Sequence, residues 1–384
     1  MDEGVLFQIK KEHLETGLRG FPVGYCPTST VTSTEGLFYA NFPIKEVASW
    51  SAEEGIYLIL KGKKGSQEEV NSYFSKRYRA SYLKPQTLEA IRQLPFQGSP
   101  MKLLGLALLI AGIFESIGEY QKDCEHLVMI IPEITALVIN LHAGWKHTPS
   151  CPELGYIQNF IHMLGVPQQT REMEEAMRLF NVLHYDHGGG NLSTFVGKAV
   201  ASSLEDLYGS IASAMCALAG PRHGRANQDA LEFLQKIFIE TKGDITAQKI
   251  EELMRQKIRQ HELIFGFGHA VLRIEDPRST VMYDYLEKHF QNHPLVQTAF
   301  LLRSVGVRVL QENPKIASPY PNVDAVSGVM LAAANFNYPL YFPLLFGMSR
   351  TVGIARQIVY ERVEAREGRG TPIIRPRYLY NGPS

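Results

Sequence analysis

Four stretches of the 384-residue chain set glycine beside ionisable side chains in otherwise apolar surroundings: HYDHGGGN at 184–191, GPRHGRAN at 220–227, FGFGHAVLR at 265–273 and PNVDAVSG at 321–328. Each leads into an expected helix or closely follows one. Glycine lets the backbone take positive φ there and lets a ligand approach the main chain. A histidine at a helix N-terminus feels the positive end of the helix dipole, which favours the neutral imidazole, and a neutral imidazole can donate a proton to a carbonyl oxygen. Taken singly, each histidine reads first as a hydrogen-bonded cap. The recurrence of three histidine loops and one aspartate loop reads instead as a site, with His187, His223, His269 and Asp324 as its titratable groups.

Metal ligation is the next reading. None of these loops has HxH, HExxH or paired Cys/His spacing, so no metal is expected. Arginines form a second group: Arg273 and Arg278 follow His269, Arg350 lies in FGMSRTVG, and Arg375 and Arg377 lie in IIRPR. Arginine is the usual bidentate holder of carboxylates and phosphates, so several of them in apolar sequence point to a small polyanionic ligand. The chain has no GxxxxGK[ST] and no GxSxG, and its GFG at 266–268 does not follow a strand of a βαβ unit. P-loop, dinucleotide-binding and activated-serine chemistry are excluded on those grounds.

The elements that must carry these loops are mostly helices. Apolar residues three and four apart predict helices within 101–120, 157–164, 230–239, 250–264 and 296–310. Ser99-Pro100 precedes the first, Ser193 and Thr194 can cap another, and Asp276-Pro277 breaks the chain before a third. The Ala-, Ser- and Gly-rich stretch at 193–220 predicts a central, tightly packed helix or a subunit seam, because small residues let helix axes approach. Strand-like alternation is confined to 20–39, where Val23, Tyr25, Thr28 and Val31 predict a small β ribbon. The Arg/Gly/Pro-rich tail after Ala365 is expected to be extended.

At 45% hydrophobic and 20% charged residues the chain is an ordinary globular one, and its length favours two domains. Lys plus Arg and Asp plus Glu are 39 each, so no bulk charge recruits nucleic acid or an anionic membrane. The apolar runs at 103–114 and 127–141 read as core helices, the first too short for a bilayer and the second interrupted by Pro132 and Glu133. Cys26, Cys124, Cys151 and Cys216 form no CxxC pair, which fits free thiols in a reducing cytosol. The acidic start resembles neither a secretory signal nor an Arg-rich transit peptide, so a cytoplasmic protein is expected.

The loops resemble, in order and spacing, those of the citrate synthase family. GPRHGRAN is similar to its GPxHGxAN, GFGHAVLR with the following DPR to its G[FY]GHxVx[RK] and DPR, and PNVDAVSG to its PNVDxxSG. The intervals of 46 residues from His223 to His269 and 55 from His269 to Asp324 also match. The resemblance spans essentially the whole chain, most firmly 181–377. It implies a mainly α, two-domain citrate synthase-like fold with a small N-terminal β element, a homodimer, a large domain at 1–224 and 336–384, and a small domain at 225–335 that closes over substrate.

The implied substrates are acetyl-CoA and oxaloacetate, with no cofactor beyond the thioester itself. Asp324 matches the base that takes a proton from the acetyl methyl, His223 the group that polarises the thioester oxygen, and His269 the acid on the oxaloacetate carbonyl. His187, Arg278 and Arg350 match oxaloacetate ligands, and Arg375 matches an arginine supplied by the partner subunit. Ile264, Phe265, Gly266, Phe267 and Gly268 match the backbone surface around adenine. Arg19, Arg273, Lys315 and Asn322 match positions near the phosphates and pantetheine arm.

Val326, Arg222, YANFPI at 39–44 and Ser99-Pro100-Met101 depart from the family pattern, at positions that bear on the acyl pocket and CoA affinity. A 2-methylcitrate synthase using propionyl-CoA shares all three catalytic residues, and an inactive binding protein on the same fold is the alternative from another class. With no separate N-terminal β domain of the kind NADH-inhibited relatives carry, NADH control is not expected.

Overall fold

Side-chain caps set where many of the helices begin. In the computed structural model, which describes residues 5–78, 81–151, 153–166, 168–241, 243–380 and 382, Ser51 with Glu54 and Ser66 with Glu69 form reciprocal capping boxes. Thr170, Asn191, Asp206, Thr246 and Asp276 each accept from a backbone N–H of the first turn that follows. Proline supplies the first helical position at residues 85, 100, 277 and 294, where its missing N–H is not needed.

The helices of the first half are α1 (Ile44–Val47), α2 (Ala52–Lys61), α3 (Gln67–Arg77), α4 (Pro85–Arg92), α5 (Pro100–Glu115), α6 (Tyr120–Ala143), α7 (Tyr156–Leu164) and α8 (Arg171–His184). Those of the second half are α9 (Leu192–Ala201), α10 (Leu207–Leu218), α11 (Ala226–Glu240), α12 (Ala247–Arg259), α13 (Pro277–Phe290), α14 (Pro294–Gln311), α15 (Asp324–Ala333) and α16 (Phe342–Val359). Strands β1 (Ser29–Thr32), β2 (Gly36–Tyr39) and β3 (Phe42–Pro43) form an antiparallel meander with Ser29 opposite Tyr39. The mainly helical expectation holds.

The centre of the core is α16, buried on nearly every side and packed against α2, α6, α8, α9 and α10. A helix that is hydrophobic all round has no solvent face to offer. By length and composition α6 is also apolar enough to cross a membrane, yet 83% of that window is buried inside the protein, as a core helix requires. Helices α11 to α15 pack largely on one another, while α15 also touches α8 and α11 touches α16.

Four expectations need correction. The stretch at 193–220 is two helices, because Leu204 turns the chain at φ +71° and Asp206 caps α10. The helix expected to run to residue 120 ends at Glu115, where Ser116 is extended and Gly118 takes φ +77°. The ribbon starts only at Ser29, and Val23 and Tyr25 are 62% and 80% exposed, so their alternation reflects no sheet face. The tail is not extended from its start: Arg366, Glu367, Gly368 and Gly370 take positive φ in a turn, and only from 371 to 380 does it run without turn, helix or strand.

Candidate active site

The His269 and His223 loops are held by hydrogen bonds that also fix the ring's tautomer. His269 leaves α12 behind and precedes α13, and its Nδ1 accepts from the backbone N–H groups of Val271 at 3.0 Å and Leu272 at 2.9 Å. A backbone N–H can only donate, so the proton of the neutral ring sits on Nε2. His223 lies in the turn between α10 and α11, where Gly224 packs so closely on Leu218 that a Cβ would stand 2.3 Å from its Cδ2. Its Nε2 lies 2.8 Å from Ser193 Oγ and accepts from the Ser193 N–H at 3.3 Å, which leaves Nδ1–H as the donor. The sequence marked Ser193 only as a cap. Asn191 caps α9 instead, and Ser193 holds His223.

Burial pushes the His223 and His269 rings down to about 4, helped by the positive charges of Arg350 and Arg278 respectively. His187 is pushed well below the usual imidazole range, first by burial and then by Arg278 and Arg350. Its Nε2 is buried with no partner among the described residues, and its ring centroid is 5.4 Å from that of His269. All three are therefore neutral near pH 7.

Asp324 opens α15, its backbone N–H donating to Asn322 Oδ1 at 3.0 Å. Burial pushes its carboxyl up to about 7, against the pull of Arg278 and with the push of Asp276. Its side chain accepts no hydrogen bond from another described residue. Arg278 is 3% exposed and meets Asp276 through Nε at 3.0 Å and Nη2 at 2.6 Å, so a buried pair anchors the cation beside the histidines. Arg350 is 1% exposed, gives Nε–H to the His184 carbonyl at 2.9 Å and lies 4.8 Å from the Phe346 ring centroid. Phe346 also meets His184 and His223 edge-on, at 5.1 and 5.9 Å between centroids.

The loop at 264–268 is sewn to the Asp324 loop. Phe267 and Pro321 form an antiparallel bridge, Asn322 N–H donates to Gly266 O at 2.9 Å, and Asn322 Nδ2 donates to Gly268 O at 2.9 Å. Arg273, Arg19, Lys315 and Arg375 are exposed. Of the departures, Val326 is fully buried in α15, Arg222 is exposed, and Tyr39 of YANFPI donates to Val182 O at 3.0 Å.

Sequence reasoning missed Ser193 in its role, Asp276, Asp186, His184 and Phe346. Asp276, Asp186 and His184 sit inside or beside the motifs, and only their contacts distinguish them. A basic carboxylate, two neutral imidazole donors and two buried cations make a setting for taking a proton from carbon next to a carbonyl and for holding a dicarboxylate. Among the described residues no cluster suited to a metal ion occurs.

The family described as "Citrate synthase, C-terminal domain" matches residues 17–377. Citrate synthase 4, mitochondrial, of Arabidopsis thaliana is 33% identical over 371 residues, covering 90% of this chain and 78% of the relative. Citrate synthase, mitochondrial, of Citrus maxima is 33% identical over 387 residues, covering 94% and 80%. The crystal structure of citrate synthase from Pyrobaculum aerophilum matches with a TM-score of 0.82 at 28% identity, covering 96% of this chain and 92% of that one. A ternary complex of carboxymethyl coenzyme A and oxaloacetate with citrate synthase from Thermoplasma acidophilum matches at a TM-score of 0.84, covering 96% of each chain, and at 23% identity it is a likeness of fold.

Proposed function

This chain belongs to the citrate synthase family and is an acyltransferase of that type, and from that premise we propose that it condenses acetyl-CoA with oxaloacetate and hydrolyses the citryl-CoA so formed. Asp324 takes a proton from the acetyl methyl while His223 Nδ1–H stabilises charge on the thioester oxygen. The resulting carbon attacks the 2-oxo carbon of oxaloacetate, and His269 Nε2–H supplies the proton to the oxygen that becomes the hydroxyl of citrate. Water then cleaves the thioester, releasing citrate and free CoA. His187, Arg278 and Arg350 receive the carboxylates of oxaloacetate, and Arg375 of a second subunit completes the cage.

The observation that carries this reading is the pairing of an unengaged carboxylate raised to about 7 with two neutral rings whose tautomers leave a donor free. Raising an aspartate from 3.8 to about 7 reduces its mismatch with a carbon acid by about 4 kcal/mol. A preorganised donor on the developing oxyanion contributes roughly 3 kcal/mol more.

The loop at 264–268 and Asn322, with Arg19, Arg273 and Lys315, is assigned to coenzyme A. Residues 225–335 form the unit that closes on substrate, excluding water. The exposed side chains Leu106, Leu109 and Ile113 of α5, at 43%, 48% and 76%, give a homodimer an apolar seam. The four free thiols fit a reducing compartment, and the two relatives named above are mitochondrial proteins.

The test is thiol release with oxaloacetate from acetyl-CoA and from propionyl-CoA. The expected kcat/KM favours acetyl-CoA by about tenfold or more, the worth of one methylene in a fitted pocket. A preference for propionyl-CoA overturns the substrate assignment in favour of 2-methylcitrate synthesis.

A further inference from the structure

Between His184 and His187 lies Asp186, fully buried and without an ion-pair partner among the described residues. Its carboxylate accepts from three separate parts of the chain. Oδ2 takes hydrogen bonds from the Thr28 hydroxyl just before the ribbon, from Ser29 Oγ at 2.8 Å at its start, and from Gln357 Nε2 at 3.1 Å on α16. Oδ1 takes Gln357 Nε2 at 2.9 Å and the backbone N–H of His187 at 2.9 Å. Ser29 Oγ also receives the N–H of Gly188 at 2.7 Å, so the same knot pins both residues of the loop that ends in the site.

The position of Asp186 on α16 follows from one glycine. A Cβ on Gly353 would stand 2.6 Å from Asp186 Cγ and 2.4 Å from Tyr185 O, so the carboxylate rests directly on helix backbone. Arg350, Gly353 and Gln357 are three and four residues apart and share that face. We propose that Asp186 is a positioning residue of the oxaloacetate site, its hydrogen bonds fixing the His187 backbone and its charge resting on the α16 face that also carries Arg350. The proposal rests on the assignment of His187 and Arg350 to oxaloacetate. Burial pushes Arg350 down to about 10, and the Asp186 charge is the foremost influence opposing it.

Asp186→Asn keeps the shape and removes the charge. The Thr28 and Ser29 hydroxyls and the Gln357 amide can turn to accept from the new NH2, and Gln357 Oε1 has no partner to lose. In steady-state thiol release, KM for oxaloacetate is expected to rise about tenfold, the worth of one charge-assisted contact, with KM for acetyl-CoA and Tm little changed. Unchanged KM for oxaloacetate with a lowered Tm makes Asp186 a structural tie only and overturns the proposal. Ser29→Ala, which removes one donor and the Gly188 acceptor while keeping the charge, is expected to raise the same KM by a smaller factor. If Asp186→Asn does not fold, an unchanged KM in Ser29→Ala overturns the proposal. Wild-type protein without thiol release refutes the condensation reading itself, a result separate from an active wild type indifferent to Asp186.

Discussion

A carboxylate that must take a proton from carbon works best when its own proton affinity lies near the working pH, and burial gives Asp324 that property. The sign follows from the direction of the shift. The folded carboxyl is raised from 3.8 to about 7, so the base form accumulates only as pH rises through about 7. The extra proton affinity favours the fold fully below about pH 4 and is lost progressively as pH rises from there through about 7. kcat/KM for acetyl-CoA is therefore expected to climb about tenfold per unit below pH 7 and level off above about 8. A flat profile from pH 6 to 8 contradicts the assignment of Asp324 as base. The histidines do not spoil this profile, because His223 and His269 titrate near 4 and are already neutral. His223, His269 and Asp324 were legible because each stands in a short glycine-bearing motif. Ser193 and Asp186 were not, since their roles depend on contacts 30 residues away in one case and 157 and 171 in the other.

Among the elements, helices with one apolar stripe were read well, and α7, α11, α12 and α14 stand close to where periodicity puts them. Periodicity overshoots the ends of α5 and α12 because apolar spacing says nothing about where backbone carbonyls lose their N–H donors. It missed α16 because a helix buried on all sides has no polar face to reveal its period. The joint between the 264–268 loop and α15 depends on Gly266, which has φ +82° and would place a Cβ 2.6 Å from Ala325 Cα. Gly266→Ala is expected to lower stability by about 1–3 kcal/mol and to raise KM for acetyl-CoA more than KM for oxaloacetate. Thermal unfolding with steady-state kinetics checks it. An alanine variant with wild-type values shows that the loop and α15 do not depend on this close approach.

The whole molecule makes one site from residues at 184–193, 220–227, 265–278, 321–324 and 346–350, gathered about α16, which runs through the middle of the core with α2, α6, α8, α9 and α10 packed on it. Composition and periodicity alone gave the helical class, and the motifs gave the order of the loops. Neither gave the hydrogen-bonded knots around Asp186, Ser193 and Asp276, which exist only once distant segments meet. Arg375 is exposed within one chain, which leaves it free to reach a second copy in the proposed dimer. In the proposed reaction Asp324 removes the proton from carbon in a site preorganised by neutral histidines. Thiol release from acetyl-CoA and oxaloacetate, measured for wild type and Asp324→Asn at matched Tm, tests it most directly. A rapid wild type and a loss of at least about a thousandfold in kcat for the variant are expected. An Asp324→Asn protein with near wild-type turnover would contradict that role.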